Sequence, residues 1–216
     1  LALGRQLGVT RTDKSARHSQ SDELTDSGIL NRAIPFSTRH CNWHTDATYY
    51  GSDNTIQALF LLCKRPAVAG GSNKVLDHEV LYIHLRDRDP GALEVLMNRN
   101  CFNYRNPATG EVDPHRGGKV FWTTADGHLC HRFSFRKRDM AWSEESDVAA
   151  ARNVLESLIS DESEHVIEGR LESGMGLISN NVLHTREQLV DSDDAATKRL
   201  LFRARFYDRV NPEYPA

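Results

Sequence analysis

The chain is predicted to be mainly β with inserted helices, folded as a jelly-roll-like double-sheet barrel. Three observations point there. Short apolar runs of strand length recur from Thr55 onward, separated by Pro, Gly and Asp-Gly turn signals. Few stretches repeat apolar residues at helical spacing; Val148, Ala151, Val154, Leu155 and Leu158 form the clearest stripe. Neither an internal repeat nor a long linker divides the 216 residues, so one domain over 1–216 is expected.

Taken in order, Leu1 to Gly8 reads as the end of a helix stopped by Gly8, and the absence of a leading Met suggests that residues are missing in front of it. Thr10 to Asp26 is polar and rich in Ser and charge, which predicts a mobile loop, a candidate lid over a binding site. Ile29 to Phe36 is more apolar and leads into Trp43-His44-Thr45-Asp46. Thr55 to Cys63 is a nearly continuous apolar run, expected as a strand buried on both faces. After the Gly70-Gly71 turn, Asn73 to Asp77 resumes as a strand, and Asp77 is placed to cap a helix from His78 to about Arg86. Ala92 to Asn98 restarts a helix with Pro90 near its first turn. From Cys101 to Phe135, turn signals at Asn106-Pro107, Thr109-Gly110, Gly117-Gly118 and Asp126-Gly127 separate short strands. The last pair is predicted to turn a hairpin of Lys119 to Thr123 with His128 to Phe135. Ser143 to Ser160 is the expected helix, capped by Ser143. His165 to Leu171, Met175 to Ser179 and Arg199 to Arg209 return to strand.

The bulk properties narrow the function classes. A net charge of -3 carries no basic excess of the kind that binds nucleic acid. No apolar run nears the roughly 20 residues of a membrane span, and the first residues lack a signal pattern, so a cytoplasmic protein is expected. Cys41, Cys63, Cys101 and Cys130 are scattered without a C-x-x-C pair, which predicts free, partly buried thiols. The expected partner is a small-molecule substrate, with neither nucleic acid nor membrane; a homo-oligomer stays open.

The chemistry gathers at His44 and Asp46. Two residues apart on an extended segment, they are expected to share a face, where an imidazole nitrogen and a carboxylate oxygen can hold one metal. A second histidine from afar would complete the two-histidine, one-carboxylate face that leaves three positions of an octahedral iron(II) open. His184, in Asn180-Asn181-Val182-Leu183-His184-Thr185-Arg186, is the candidate.

The run WHTD followed by ATYY, the run VLHTR, and KRLLFRARFYD at the end resemble the motifs of the TauD/TfdA group of iron(II)/2-oxoglutarate oxygenases. The likeness extends from about Trp43 to Asp208. It implies a double-stranded β-helix, or cupin-like barrel, with His44, Asp46 and His184 as metal ligands and catalytic centre, and Fe(II), 2-oxoglutarate and O2 as cofactor and cosubstrates. It further implies an arginine after the second histidine that grips 2-oxoglutarate. Arg199 and Arg203 both qualify; Arg199 is favoured for the distal carboxylate and Arg203 for a neighbouring anion or the substrate. Gly70-Gly71-Ser72-Asn73 stands where the family has two glycines and a hydroxyl residue bonding the same carboxylate. Asn73 replaces that hydroxyl residue, and Ser72 is the substitute.

The resemblance implies hydroxylation or desaturation of a small, anionic or amino-acid-like molecule, with release of succinate and CO2. Arg186 and Tyr49 are the candidate substrate contacts, with Arg39, Arg105, Arg132 and Arg136 as further cations. Related halogenases have a small residue at the position of Asp46, so its presence argues against halogenation. The competing reading is a cupin-like metal or small-molecule binding protein without turnover. A zinc hydrolase is weaker, because no general base stands near the motif.

Overall fold

In the computed structural model, residues 2–13, 22–26, 36–50, 55–106, 109–136, 140–160 and 163–211 are described. The chain runs from α1 (Ala2–Gln6) through β1 (Asp22–Leu24), β2 (Cys41–His44), β3 (Ala58–Arg65), β4 (Ala69–Gly70) and β5 (Asn73–Leu76). Two helices follow, α2 (His78–Arg88) and α3 (Pro90–Asn98). Next come β6 (Phe102–Arg105), β7 (Val112–Gly118), β8 (Phe121–Thr123), β9 (Leu129–His131) and β10 (Met140–Trp142). Then α4 (Ser146–Leu158) precedes β11 (Ile167–Gly169), β12 (Gly176–Ser179), β13 (Leu183–Arg186), β14 (Leu189–Val190) and β15 (Leu200–Phe206).

Two four-stranded antiparallel sheets position the site. One has the order β1-β15-β3-β12 and the other β11-β5-β13-β2. Neighbours in both sheets lie far apart in sequence, so side chains separated by over a hundred residues become cross-strand pairs.

The helices close one side of the second sheet. Leu81 and Leu85 of α2, Leu93 and Leu96 of α3, and Leu155 of α4 bury against Trp43, Leu76 and Leu183 in one apolar cluster that also takes in Phe102, Phe121 and Phe133. Side chains alternate across a strand. With Trp43 and Leu183 committed to this core, their neighbours His44 and His184 face the other way, toward the first sheet. Two of these helices have a side-chain cap: Asp77 accepts from Glu79 N (2.8 Å) to cap α2, and Asp89 accepts from Ala92 N (2.9 Å) ahead of Pro90 to cap α3.

Several expectations need correction. Within Thr10 to Asp26, residues 14–21 lie outside the described residues, but both flanks are pinned rather than loose: Thr12 bridges Phe206, and Asp22–Leu24 pairs with β15. Polarity read as solvation there, whereas Asp13 and Asp22 are buried against arginines. Most of the Ile29 to Phe36 run also lies outside the described residues. The helix expected from Ser143 starts at Ser146; Ser143 Oγ instead accepts from Glu145 N, one turn early. Gly117 and Gly118 end β7 rather than turning. A Cβ on Gly117 would sit 2.4 Å from Phe102 O, so glycine there permits close strand approach. The run at Thr55 to Cys63 is strand from Ala58 and is not buried on both faces, since Leu62 is 48 % exposed. Hairpin β8–β9 forms around Gly127 at φ 82 as expected. Among the described residues, no helix is long and apolar enough to cross a membrane.

Candidate active site

Strands β2 and β13 place His44 directly opposite His184, with ring centroids 4.3 Å apart. His44 Nδ1 lies 2.8 Å from Asn42 O, and His184 Nδ1 lies 3.0 Å from Val182 O. Each backbone carbonyl takes the Nδ1–H, so both Nε2 lone pairs are left for a ligand position. Burial, reinforced by the charges of His184 and Arg136, pushes His44 down to about 3, and burial likewise lowers His184. Both imidazoles are neutral at neutral pH, the form that binds a metal.

Asp46 arrives differently from the expectation. β2 ends at His44, and residues 46–49 form a turn in which Ala47 has φ 58, so strand alternation does not bring the two side chains together. A clamp does. Asn181 accepts from Asp46 N (2.9 Å) through Oδ1, and its Nδ2 donates to Asp46 O (3.2 Å) and to Ile56 O (2.8 Å). Asn181 itself is left-handed at φ 53, a conformation asparagine tolerates.

The outcome is that Asp46 Oδ1 stands 3.7 Å from His44 Nε2 and 3.8 Å from His184 Nε2. These separations exceed hydrogen-bond reach and suit three donors converging on one cation; one ligand atom from each residue lies within 4.8 Å of the others. The other oxygen, Oδ2, accepts from Arg203 Nη1 at 3.0 Å and lies 3.9 Å from Arg205 Nη1. Burial alone would raise the Asp46 pKa, but Arg203, His44 and Arg205 outweigh it and hold the carboxyl well below the usual range. Two neutral imidazoles and one ionised carboxylate on one face fit iron(II), which favours mixed nitrogen and oxygen donors.

Beside this triad a cavity opens between the two sheets. Leu24, Leu59 and Leu61 form its apolar wall, and Asn73, Arg186, Arg199 and Arg203 its polar one. Arg199 is buried, and among the described residues no carboxylate lies within ion-pair distance of its guanidinium. Burial, with Arg186 nearby, lowers it to about 10, still cationic at neutral pH. Asp191 acts on it only from beyond ion-pair distance, and a buried cation so placed suits an anionic ligand. A roomier cleft of about 830 Å³ near Gly8, Thr124 and Arg209 contains none of these residues.

The remaining candidates divide. Asn73 lines the cavity, while Ser72 Oγ donates to Glu168 Oε1 on the exposed side. Arg203 lines it too, but both of its terminal nitrogens are engaged, by Asp46 and by Asp22. Arg186 is buried at the cavity wall with Nη2 donating to the carbonyls of Ser37 and Arg39. The Tyr49 hydroxyl accepts from Arg205 Nη1 (3.0 Å) and does not line the cavity. Arg132 clamps the carbonyls of Tyr50 and Gly117 and lies over the Phe102 ring. Sequence reasoning missed Asn181, Asp13 and Asp22. Only Asn181 left a signal, sitting three positions before His184.

Comparison with known proteins gives the family and the fold. The profile of the family described as taurine catabolism dioxygenase TauD, TfdA matches residues 1–205. A uridine-5'-phosphate dioxygenase from Streptomyces sp is 29 % identical over 170 residues, 75 % of this chain and 60 % of the relative. A protein of the same name from Amycolatopsis sp is 26 % identical over 168 residues, 76 % and 60 % of the two chains. This chain thus spans about three fifths of the length of the curated relatives it matches. Among solved structures, the non-heme iron oxygenase OrfP with alpha-ketoglutaric acid superposes with TM-score 0.64 at 15 % identity, covering 87 % of this chain and 56 % of that one. Asparagine oxygenase with Fe(II), hydroxyasparagine and succinate gives 0.62 at 15 %, covering 87 % and 56 %. At such identities the likeness is one of fold.

Proposed function

This chain belongs to the taurine catabolism dioxygenase TauD, TfdA family, and from that premise we propose that it is an iron(II)- and 2-oxoglutarate-dependent dioxygenase oxidising a small anionic molecule. The observation that carries the reading is the convergence of His44 Nε2, His184 Nε2 and Asp46 Oδ1 beside a cavity lined by a buried arginine, Arg199, that has no ion pair among the described residues. The two four-stranded antiparallel sheets, with the site between them, support a double-stranded β-helix. Four free, buried cysteines support a reducing, cytoplasmic setting.

In this reading His44, Asp46 and His184 hold iron(II) on one face. The metal supplies oxidative decarboxylation of 2-oxoglutarate by O2 to succinate and CO2, coupled to hydroxylation or desaturation of a substrate C–H bond. The chain's own groups do the rest. Arg199 forks onto the distal carboxylate of 2-oxoglutarate, because two N–H groups match two carboxylate oxygens. Asn73, on the same wall, donates its amide beside it. Leu24, Leu59 and Leu61 exclude water from the chain of the keto acid. Arg203, tied to Asp46, orients the metal-binding carboxylate, and Arg199 is therefore the cosubstrate arginine.

For the substrate, the two curated relatives direct the choice to a nucleoside 5'-phosphate, an anion in keeping with the surplus of buried arginines. The test is succinate formation by metal-loaded protein with uridine 5'-phosphate, asparagine and arginine offered separately. Turnover with the nucleotide alone supports the full reading. Turnover with an amino acid keeps the reaction and replaces the substrate. Absence of iron-dependent 2-oxoglutarate binding in calorimetry overturns the reaction itself.

A further inference from the structure

Asp46 is the middle of a buried chain of five alternating charges. On one side Arg203 Nη2 donates to Asp22 Oδ2 at 2.8 Å, and on the other Arg205 Nη2 lies 2.6 Å from Asp13 Oδ2. All five residues are at least nine-tenths buried. The outer acids are held by construction. Asp22 stands directly across the β1–β15 ladder from Arg203. Asp13 takes the hydroxyls of Tyr50 (2.9 Å) and Tyr207 (3.1 Å) on Oδ1, and its N–H donates to Arg205 O.

The arrangement has an electrostatic consequence. A carboxylate flanked by two guanidiniums would present a cluster of net positive charge to the metal site, with Arg186 and Arg199 adding to it from the cavity wall. In a low-dielectric interior that field opposes a divalent cation. Asp13 and Asp22 return the chain to a net charge of -1 while leaving Arg203 free to keep Oδ2 turned away from the metal position.

We infer that Asp22 and Asp13 are positioning residues of the metal site, acting through Arg203 and Arg205 to keep Asp46 both oriented and electrostatically able to accept a divalent cation. The inference rests on the metal-site reading above and extends it to acids in the first 22 residues that touch neither metal nor cosubstrate. It also explains why a polar N-terminal stretch is pinned at Asp13 and Asp22, the residues on either side of 14–21.

The test is Mn(II) binding to metal-stripped protein at fixed pH, followed by the electron paramagnetic resonance of free Mn(II), with circular dichroism on every variant. Asp22→Asn should weaken Mn(II) by about 10-fold or more, the range seen when outer-shell partners are lost. Asp22→Glu, which keeps the charge, should stay within about 3-fold of the parent. The double variant Asp22→Asn/Arg203→Met removes acid and base together and should recover the electrostatic part of the lost affinity, binding Mn(II) more tightly than Asp22→Asn but more weakly than the parent, because the bond that orients Asp46 Oδ2 is also gone. Should Asp22→Asn misfold, Asp13→Asn with and without Arg205→Met applies the same logic. Unchanged affinity in the folded single variant, or a double variant no better than the single, overturns the inference. Failure of the parent to bind Mn(II) overturns it together with the metal-site reading. A parent that binds Mn(II) yet consumes no 2-oxoglutarate defeats only the proposed reaction.

Discussion

Asn181 grips the peptide of Asp46 at both its N–H and its C=O, across 135 positions of sequence, while itself standing three residues before His184. One amide thus couples the turn that carries Asp46 to the strand that carries His184. The third bond, to Ile56 O, ties both to the lead-in of β3.

Removing that amide should loosen the triad without deleting a ligand. Asn181→Gly preserves the positive φ and removes the side chain, so metal affinity is expected to fall by about 10- to 100-fold. Thermal stability of the metal-free protein should drop by a smaller, separately measured amount. Calorimetric metal affinity equal to that of the parent would show that the turn holds itself.

Deleting the carboxylate has a sharper outcome. Asp46→Ala removes the shared acceptor of Arg203 and Arg205, which keep Asp22 and Asp13, and leaves two imidazoles without a carboxylate beside them. Divalent metal binding should be lost on equilibrium dialysis, whereas Tyr49→Phe, which removes one hydrogen bond to Arg205, should retain it.

The cavity wall predicts an ordering among cosubstrate contacts. Arg199→Met should raise the 2-oxoglutarate Kd by about 100-fold or more, since a charge-assisted bond contributes about 1.5–3 kcal/mol and two can form. Asn73→Ala should cost about 10-fold, the lower end for one bond to a charged acceptor. Ser72→Ala, facing Glu168, should leave the Kd unchanged. Titration of 2-oxoglutarate into metal-loaded protein measures all three.

Stability of the metal-free protein should fall as the pH drops below 6.5. His44, His78, His131 and His184 are all lowered, chiefly by burial, so the unfolded chain binds more protons than the folded one over this window. Each contributes a slope of up to about 1.4 kcal/mol per pH unit between its folded value and 6.5. Neither nitrogen of His131 has a hydrogen-bond partner, and the ring lies near parallel to His78 and Phe133 and tilted against Phe121. His131→Phe should therefore stabilise the protein at pH 5 and flatten the acid slope in urea unfolding. An unchanged slope would mean that His131 remains protonated in the folded state.

The sequence was most legible where a local rule governs the outcome. Asp77 and Pro90 place α2 and α3, Asp126-Gly127 turns β8 into β9, and the even spacing of Arg199, Arg203 and Arg205 does put them on one buried face. The same parity argument failed for His44 and Asp46, since the strand stops between them. The expected loop at Thr10 to Asp26 failed at its flanks for a related reason. Polar residues there meet buried partners almost two hundred positions away rather than water.

By itself, the sequence determined the family and pointed to His44, Asp46 and His184 in their order along the chain, because the motifs that carry the family are made of particular side chains. Only the tertiary structure separates the two arginines: Arg203 is held by Asp46 and Asp22, while Arg199 lines the cavity with no ion pair among the described residues. That difference depends on Asp22 arriving across β15 from the far end of the chain. Electrostatic partnership falls off with distance in space and is blind to distance in sequence.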